Sequence, residues 1–276
     1  MKKAMLLMAA LALSACGGGS NSQQPTKPSE PTKPSGPVEP TDPGTELNGA
    51  RGVYQGLMDT GESVTAMVQS DGEFYILVQS LENEGPKDDL SAVIFGTASV
   101  DEGTFTSDDA VLRNLDGGQG QPRSVSASYV ADEYLTGTIT DDATGEAVGF
   151  TATSRISGKV RPDLEQLSGD YYGGFFKGIL DAAAESEYTY ISIGNDNSFV
   201  GTRSVIANCG FTGTLATRTD DPLFNVTIDF PNEGCFLGNE VLAGIAYHDE
   251  EQNQIFLAVP NADKSGGFFL SGVRAY

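Results

Sequence analysis

The chain has 276 residues, with 38 acidic against 16 basic side chains, a formal charge of −22 and one histidine. A field of that sign opposes nucleic acid and anionic lipid head groups, so no nucleic-acid partner is expected, and it favours cationic surfaces. The acids are dispersed and form no block, so a plain solvated surface accounts for the charge as well.

The chain begins MKKAMLLMAALALSAC. Lys2 and Lys3 supply a positive start, and Met5 to Leu13 form an apolar run too short to span a bilayer. Leu13-Ser14-Ala15-Cys16 then resembles the lipobox of bacterial lipoproteins, with small residues before a cysteine. That resemblance implies a signal peptide over 1–15, diacylglyceryl transfer to Cys16, cleavage before it and acylation of the new amino terminus. Loss of Lys2 and Lys3 with the leader takes the formal charge from −22 to −24. Three acyl chains exceed the two signals that stable anchoring needs, so the expected partner at this end is a membrane, through the lipid. Gly17 stands where an aspartate would resemble an inner-membrane retention signal, which favours the outer membrane. The leaflet that the protein faces, cell surface or periplasm, is left open.

Residues 16–49 form a linker, with prolines at 25, 28, 31, 34, 37, 40 and 43. A three-residue spacing stacks every proline on one face of a polyproline II helix, and the residues between offer no core. At 3.1 Å per residue, some 20 residues make a spacer of roughly 60 Å if fully extended; a disordered linker of the same composition differs only in stiffness. Either way the segment is a stalk.

If Cys16 carries lipid, Cys209 and Cys235 are left in an oxidising compartment, where a structural disulfide is the expected outcome. A metal site would want more than two thiols beside one histidine, and a redox pair would normally sit as C-x-x-C.

From residue 50 onward, short runs alternate between apolar and polar residues and are separated by Gly, Asn and Asp turns. Val64, Ala66 and Val68 alternate, as do Val125, Ala127 and Tyr129, then Phe224, Val226, Ile228 and Phe230, then Val241, Ala243, Ile245 and Tyr247. This is period two, and turns such as SDGE, GNDNS and HDEEQN suit hairpins. The expected fold class is all-β. The runs also recur: GVYQG at 52–56 as GDYYG at 169–173, VIFGTASV as SFVGTRSV, VSASY as VTIDF and LTGTI as LAGIA, each half closing on an arginine, Arg155 and Arg274. The reading is a tandem duplication, two antiparallel meander β-barrels over 50–158 and 159–276. The connector SGKVRPDLEQLSG supplies one helical turn between them.

The layout G-x-Y near the start of each copy, preceded by Ala50 in the first and Leu167 in the second, with an arginine at the end of the copy, resembles the lipocalin-type (calycin) barrel signature. It implies that Tyr54 and Tyr171 stand where that family has tryptophan, packing against Arg155 and Arg274, with Gly52 and Gly169 as the matching glycines. The duplicated, stalked layout is also similar to the transferrin-binding type of surface lipoprotein, whose lobes each carry a small β-barrel.

No residue set reads as a catalytic centre, a metal site or a cofactor motif. His248, in YHDEEQN, is expected as an exposed turn histidine, and no G-x-S-x-G elbow accompanies it. Asp141, Asp142 and Glu146, and Asn195 to Asn197, have calcium-type oxygens but fit hairpin turns better than a cation loop. The frequent Gly, Ala, Ser and Thr of the strands fit either an open interior or a narrow barrel with close backbone approach. The expected function is therefore non-catalytic: an outer-membrane-anchored lipoprotein presenting two barrels to a protein partner. The alternative is a barrel that holds a small apolar or haem-like ligand, and a carboxylate-dependent hydrolase comes third.

Overall fold

The computed structural model describes residues 49–80, 90–114, 119–157, 160–177, 187–203, 210–231 and 239–275. The leader, the proline stretch, Cys16, Cys209 and Cys235 lie outside them. The first nine strands are β1 (Gly52–Met58), β2 (Ser63–Val68), β3 (Glu73–Gln79), β4 (Leu90–Thr97), β5 (Ser99–Asp101), β6 (Thr104–Asn114), β7 (Gln121–Val130), β8 (Tyr134–Asp141) and β9 (Ala147–Ser157). The next eight are β10 (Gly169–Lys177), β11 (Glu187–Ile193), β12 (Ser198–Arg203), β13 (Gly210–Thr217), β14 (Phe224–Asp229), β15 (Val241–Asp249), β16 (Gln254–Pro260) and β17 (Gly267–Arg274). A 3₁₀ turn at Glu165–Leu167 joins the sets, and Asp163 Oδ1 accepts the Glu165 N–H at its start.

Each set closes on itself by antiparallel pairing, β1 with β9 and β10 with β17. In the first set β4 and β5 are one strand broken at Ala98, since both pair with β6. The break faces a bulge in β6, where Asp109 Oδ1 accepts the Thr97 N–H at 2.8 Å and the Ser107 hydroxyl at 2.9 Å. Two eight-stranded antiparallel barrels therefore stand in tandem, and neither has an open sheet edge.

Three apolar clusters hold the molecule together. One fills the first barrel, with Tyr54, Phe74, Phe105 and Phe150 among small residues. The second fills the other barrel, with Tyr171, Phe199, Phe211, Phe224, Phe230 and Phe268. The third lies between the barrels, where Tyr75, Phe95 and Val93 of β3 and β4 meet Tyr247, Phe256 and Phe269 of β15 to β17. Phe95 stacks on Phe269 across this boundary at 5.8 Å between ring centroids.

Strands that carry this boundary are buried on both faces. EFYILVQ on β3 sends Phe74, Ile76 and Val78 inward and Tyr75 and Leu77 to the second barrel, so its apolar run is unbroken. Polar groups lock the same surface. Gln79 and Gln254 both donate to Ser271 Oγ, at 2.9 and 2.8 Å. Arg218 binds Gln69 Oε1 of the first barrel at 2.8 Å, and its Nε lies 2.8 Å from the fully buried Asp221 carboxylate. The Ser70 hydroxyl donates to Asp220 Oδ2 at 2.7 Å. The barrels are thus fused along one wall, and are not separate beads on a string.

The duplication is plainest at the start of each barrel. Gly52 and Gly169 both hold φ near +145° (142° and 148°), and the Tyr54 and Tyr171 hydroxyls each donate to the carbonyl four residues back, Ala50 at 3.0 Å and Leu167 at 3.1 Å. A Cβ on Gly56 or Gly173 would collide with a carbonyl oxygen of the closing strand, Thr151 or Ser271. The middle parallels drawn from sequence are corrected by the topology. VIFGTASV lies on the fourth strand of its barrel and SFVGTRSV on the third; VSASY and LTGTI likewise sit one strand later than VTIDF and LAGIA. Alternation recurs in strand after strand and a glycine meets a neighbouring backbone in several of them, so such short matches slip by one.

Candidate functional site

The first barrel is open at the end where β1 runs into β2. Its inward-facing side chains there form a cup of about 480 Å³, within the range of small-molecule sites. The floor is Met58, Val78, Ala92, Ile94, Leu112, Ile139 and Val148, and the rim is Glu62, Asn114, Arg123, Asp141 and Glu146. Period two places these rim groups inward: Glu62 is in phase with Val64 and Ala66, Arg123 with Val125, and Asp141 with Ile139.

Arg123 Nη1 pairs with Asp141 Oδ2 at 2.7 Å and also donates to the Pro122 carbonyl at 2.9 Å, while Nη2 donates to Gln121 Oε1 at 2.6 Å. Asp141 Oδ1 accepts the N–H groups of Ala143 and Thr144 at 2.8 and 3.0 Å. The Thr144 N–H above all holds this carboxyl below its ordinary range; desolvation, the next largest effect, opposes it, and the Ala143 N–H and Arg123 add to the lowering. Glu62 differs. Its Oε2 is buried and accepts no hydrogen bond from any described residue.

At the corresponding end of the second barrel the described residues place three packed phenylalanine rings in the interior. Phe211 packs on Phe230 at 5.3 Å and on Phe268 at 5.2 Å, while Phe230 and Phe268 are 6.1 Å apart. Counted from the glycine that meets the closing strand, Val148 of the cup occupies the place that Phe268 holds in this plug. Seven alanines line the first core against one in the second.

The residues singled out in the sequence lie mostly at the opposite, closed ends. Arg274 lies over the Tyr171 ring at 5.9 Å from its centroid, and its Nη2 donates to the Ser168 carbonyl. Arg155 takes other partners. It is the extra residue of a bulge between Val53 and Tyr54, which turns its guanidinium out to Asp249 at 3.1 Å and Glu251 at 2.8 Å in the second barrel. The expected symmetry between the two Tyr–Arg pairs gives way there to an inter-barrel ion pair. Burial, then Asp132 and Tyr129, pushes the Tyr54 phenol up to about 12; burial raises Tyr171 too, against the opposing charge of Arg274.

His248 is not an exposed turn residue. β15 continues through Asp249, and His248 is 9% exposed, with Nε2 3.4 Å from the Tyr171 hydroxyl. Burial, then Arg274, holds its pKa below the ordinary value, with Asp249 opposing. The inward face of β15 is Leu242, Ala246 and His248; Ile245 and Tyr247 face the first barrel, and Val241 is exposed. The alternation had pointed to the other face, because both faces of the strand's second half are buried.

The Asp and Asn groups considered for a cation serve turns: Asp196 Oδ1, for example, accepts both the N–H and the hydroxyl of Ser198. A larger groove of about 810 Å³ runs between the barrels, and both cations in its lining are already paired, Lys264 with Glu73 and Arg218 with Asp221. Asp221, a carboxyl whose pKa burial raises, belongs to that latch and not to the cup.

No family model matches the chain, and neither a curated protein nor a solved structure matches it.

Proposed function

We propose that the chain is a non-catalytic binding protein whose first barrel takes a small, apolar-bodied ligand into its open end, the second barrel serving as a solid support. The observation that carries this reading is the inward apolar floor beneath a polar rim, at an end that the second barrel fills with phenylalanine. The order of the two binding readings drawn from sequence is thereby reversed. A haem-like ligand fits the cup poorly, because its lining residues offer no imidazole, thiolate or phenolate and only the thioether of Met58. In this reading the rigid head stands on the proline-rich stalk, anchored by lipid on Cys16 in the outer membrane, and the cup samples solutes at a distance from the bilayer.

A protein partner is the second reading. Tyr172 and Tyr190 are cross-strand neighbours on the outer face of the second barrel, 46% and 39% exposed, and Val200 on the next strand is 56% exposed.

The test is a titration of the full chain with octanol, a neutral amphiphile, followed in methyl spectra. Saturable shifts at Val78, Ile94, Leu112 and Ile139 are expected, with Ile191, Ile228 and Ile255 unmoved. Shifts confined to the Tyr172–Tyr190 face would favour the second reading, and no saturable binding would refute the first. Incorporation of labelled palmitate, abolished by Cys16→Ser, tests the anchor, and protease shaving of intact cells tests which way the head faces.

A further inference from the structure

We infer that the ligand of the first barrel carries a protonated amine, which Glu62 receives; this rests on the cup being a ligand site at all. Three observations converge on it. Glu62 Oε2 is buried among the cup's walls with no hydrogen-bond donor from any described residue. A buried acceptor in that condition costs stability unless something donates to it, and a charged donor satisfies a carboxylate best. Glu146, also without a side-chain partner among the described residues, is exposed to water, so Glu62 is the rim carboxylate whose unpartnered oxygen is buried.

The other rim charges point the same way. Arg123 is the one cation among the cup's described lining residues, and its two terminal nitrogens are engaged by Asp141, Gln121 and the Pro122 carbonyl. An anionic head group would have to displace Asp141, which two backbone N–H groups also hold in place. A cationic head group has nothing to displace. Glu62, Asp141 and Glu146 together outnumber Arg123 in the lining, and the whole chain carries −22, so both the local and the long-range field draw a cation in.

The floor sets the other half of the ligand. Met58, Val78, Ala92, Ile94, Leu112, Ile139 and Val148 carry no hydrogen-bonding side chain, so they reward an alkyl or aryl body. The class is therefore a primary amine on an apolar body small enough for about 480 Å³.

Octylamine, octanol and octanoate share one tail and differ only in the head. Calorimetric titration of each into the full chain at neutral pH, with methyl spectra to locate the binding, separates the cases. Octylamine is expected to bind roughly tenfold or more tighter than octanol, as a charge-assisted hydrogen bond implies, and octanoate more weakly than either. Glu62→Gln keeps the side chain's shape and should bring octylamine down to the affinity of octanol while leaving octanol within about twofold of its value. Asp141→Asn frees Arg123 and should raise octanoate, which shows that the rim charges set the preference. Equal binding of octylamine and octanol at the cup, or an amine preference that survives Glu62→Gln, overturns the amine inference and leaves the cup standing. Failure of all three probes to move the cup methyls overturns the cup itself.

Discussion

The two barrels share a closed end and differ at the open one. At the closed end each has a tyrosine hydroxyl bonded to a carbonyl four residues back and a glycine pressed against the closing strand. At the other end Phe211, Phe230 and Phe268 plug the second barrel, while alanine, valine and a charged rim leave the first one hollow. A scaffold that closes by main-chain pairing does not need its interior to be filled in one way. Closure and contents are separable, and the contents carry the function.

The largest effect that sharpens this contrast is on the plug. Phe211→Ala removes a ring packed on three others at one end of the second barrel and should destabilise by about 3–5 kcal/mol in urea unfolding, against about 1 kcal/mol for Leu112→Ala in the half-open cup. Next comes the wall between the barrels. Arg218→Ala strands the buried Asp221 carboxylate and should cost about 3 kcal/mol. Because the barrels share that wall, one unfolding transition is expected in the native chain, and two resolved transitions would mean that the barrels are independent. The shared end gives a matched pair: Gly56→Ala and Gly173→Ala each drive a methyl into a closing-strand carbonyl and should cost about 1–3 kcal/mol, alike in the two barrels. A large difference between them would break the equivalence of the closed ends.

The smallest effect is on pH. His248 belongs to the second barrel alone, and its pKa is lowered from 6.5 by burial and Arg274. Between its lowered value and 6.5 the unfolded chain binds the proton and the folded chain does not. Stability from this group is complete above 6.5 and is lost as pH falls through that window. His248→Gln should flatten that slope in unfolding curves taken from pH 7.5 downward, and an unchanged slope would remove His248 from the account.

Much of this was legible in the residues and some of it was not, for physical reasons. Strands with one wet face, such as β14 with Phe224, Val226 and Ile228 inward, announce themselves by alternation. Strands buried on both faces, such as β3, do not say which face is the core. Alanine was ambiguous because it serves two ends in one barrel: Ala92 leaves room in the cup, while Ala152 lets the Gly56 backbone come close. The rim was within reach, since Glu62, Arg123 and Asp141 each fall in phase with an apolar inward run. A charge in phase with a core is the signal to look for. The reach of Arg155 to Asp249 depends on a bulge and on a second barrel 94 residues away in sequence, and no local pattern encodes it.

Crystals of the chain held under xenon would test the contrast most directly, because xenon enters apolar space that is not already packed. Anomalous density is expected on the floor of the first barrel, against Ile94, Leu112 and Ile139, with none among Phe211, Phe230 and Phe268 of the second. Xenon in the second barrel at equal occupancy, or none in the first, would contradict the division into a hollow barrel and a solid one.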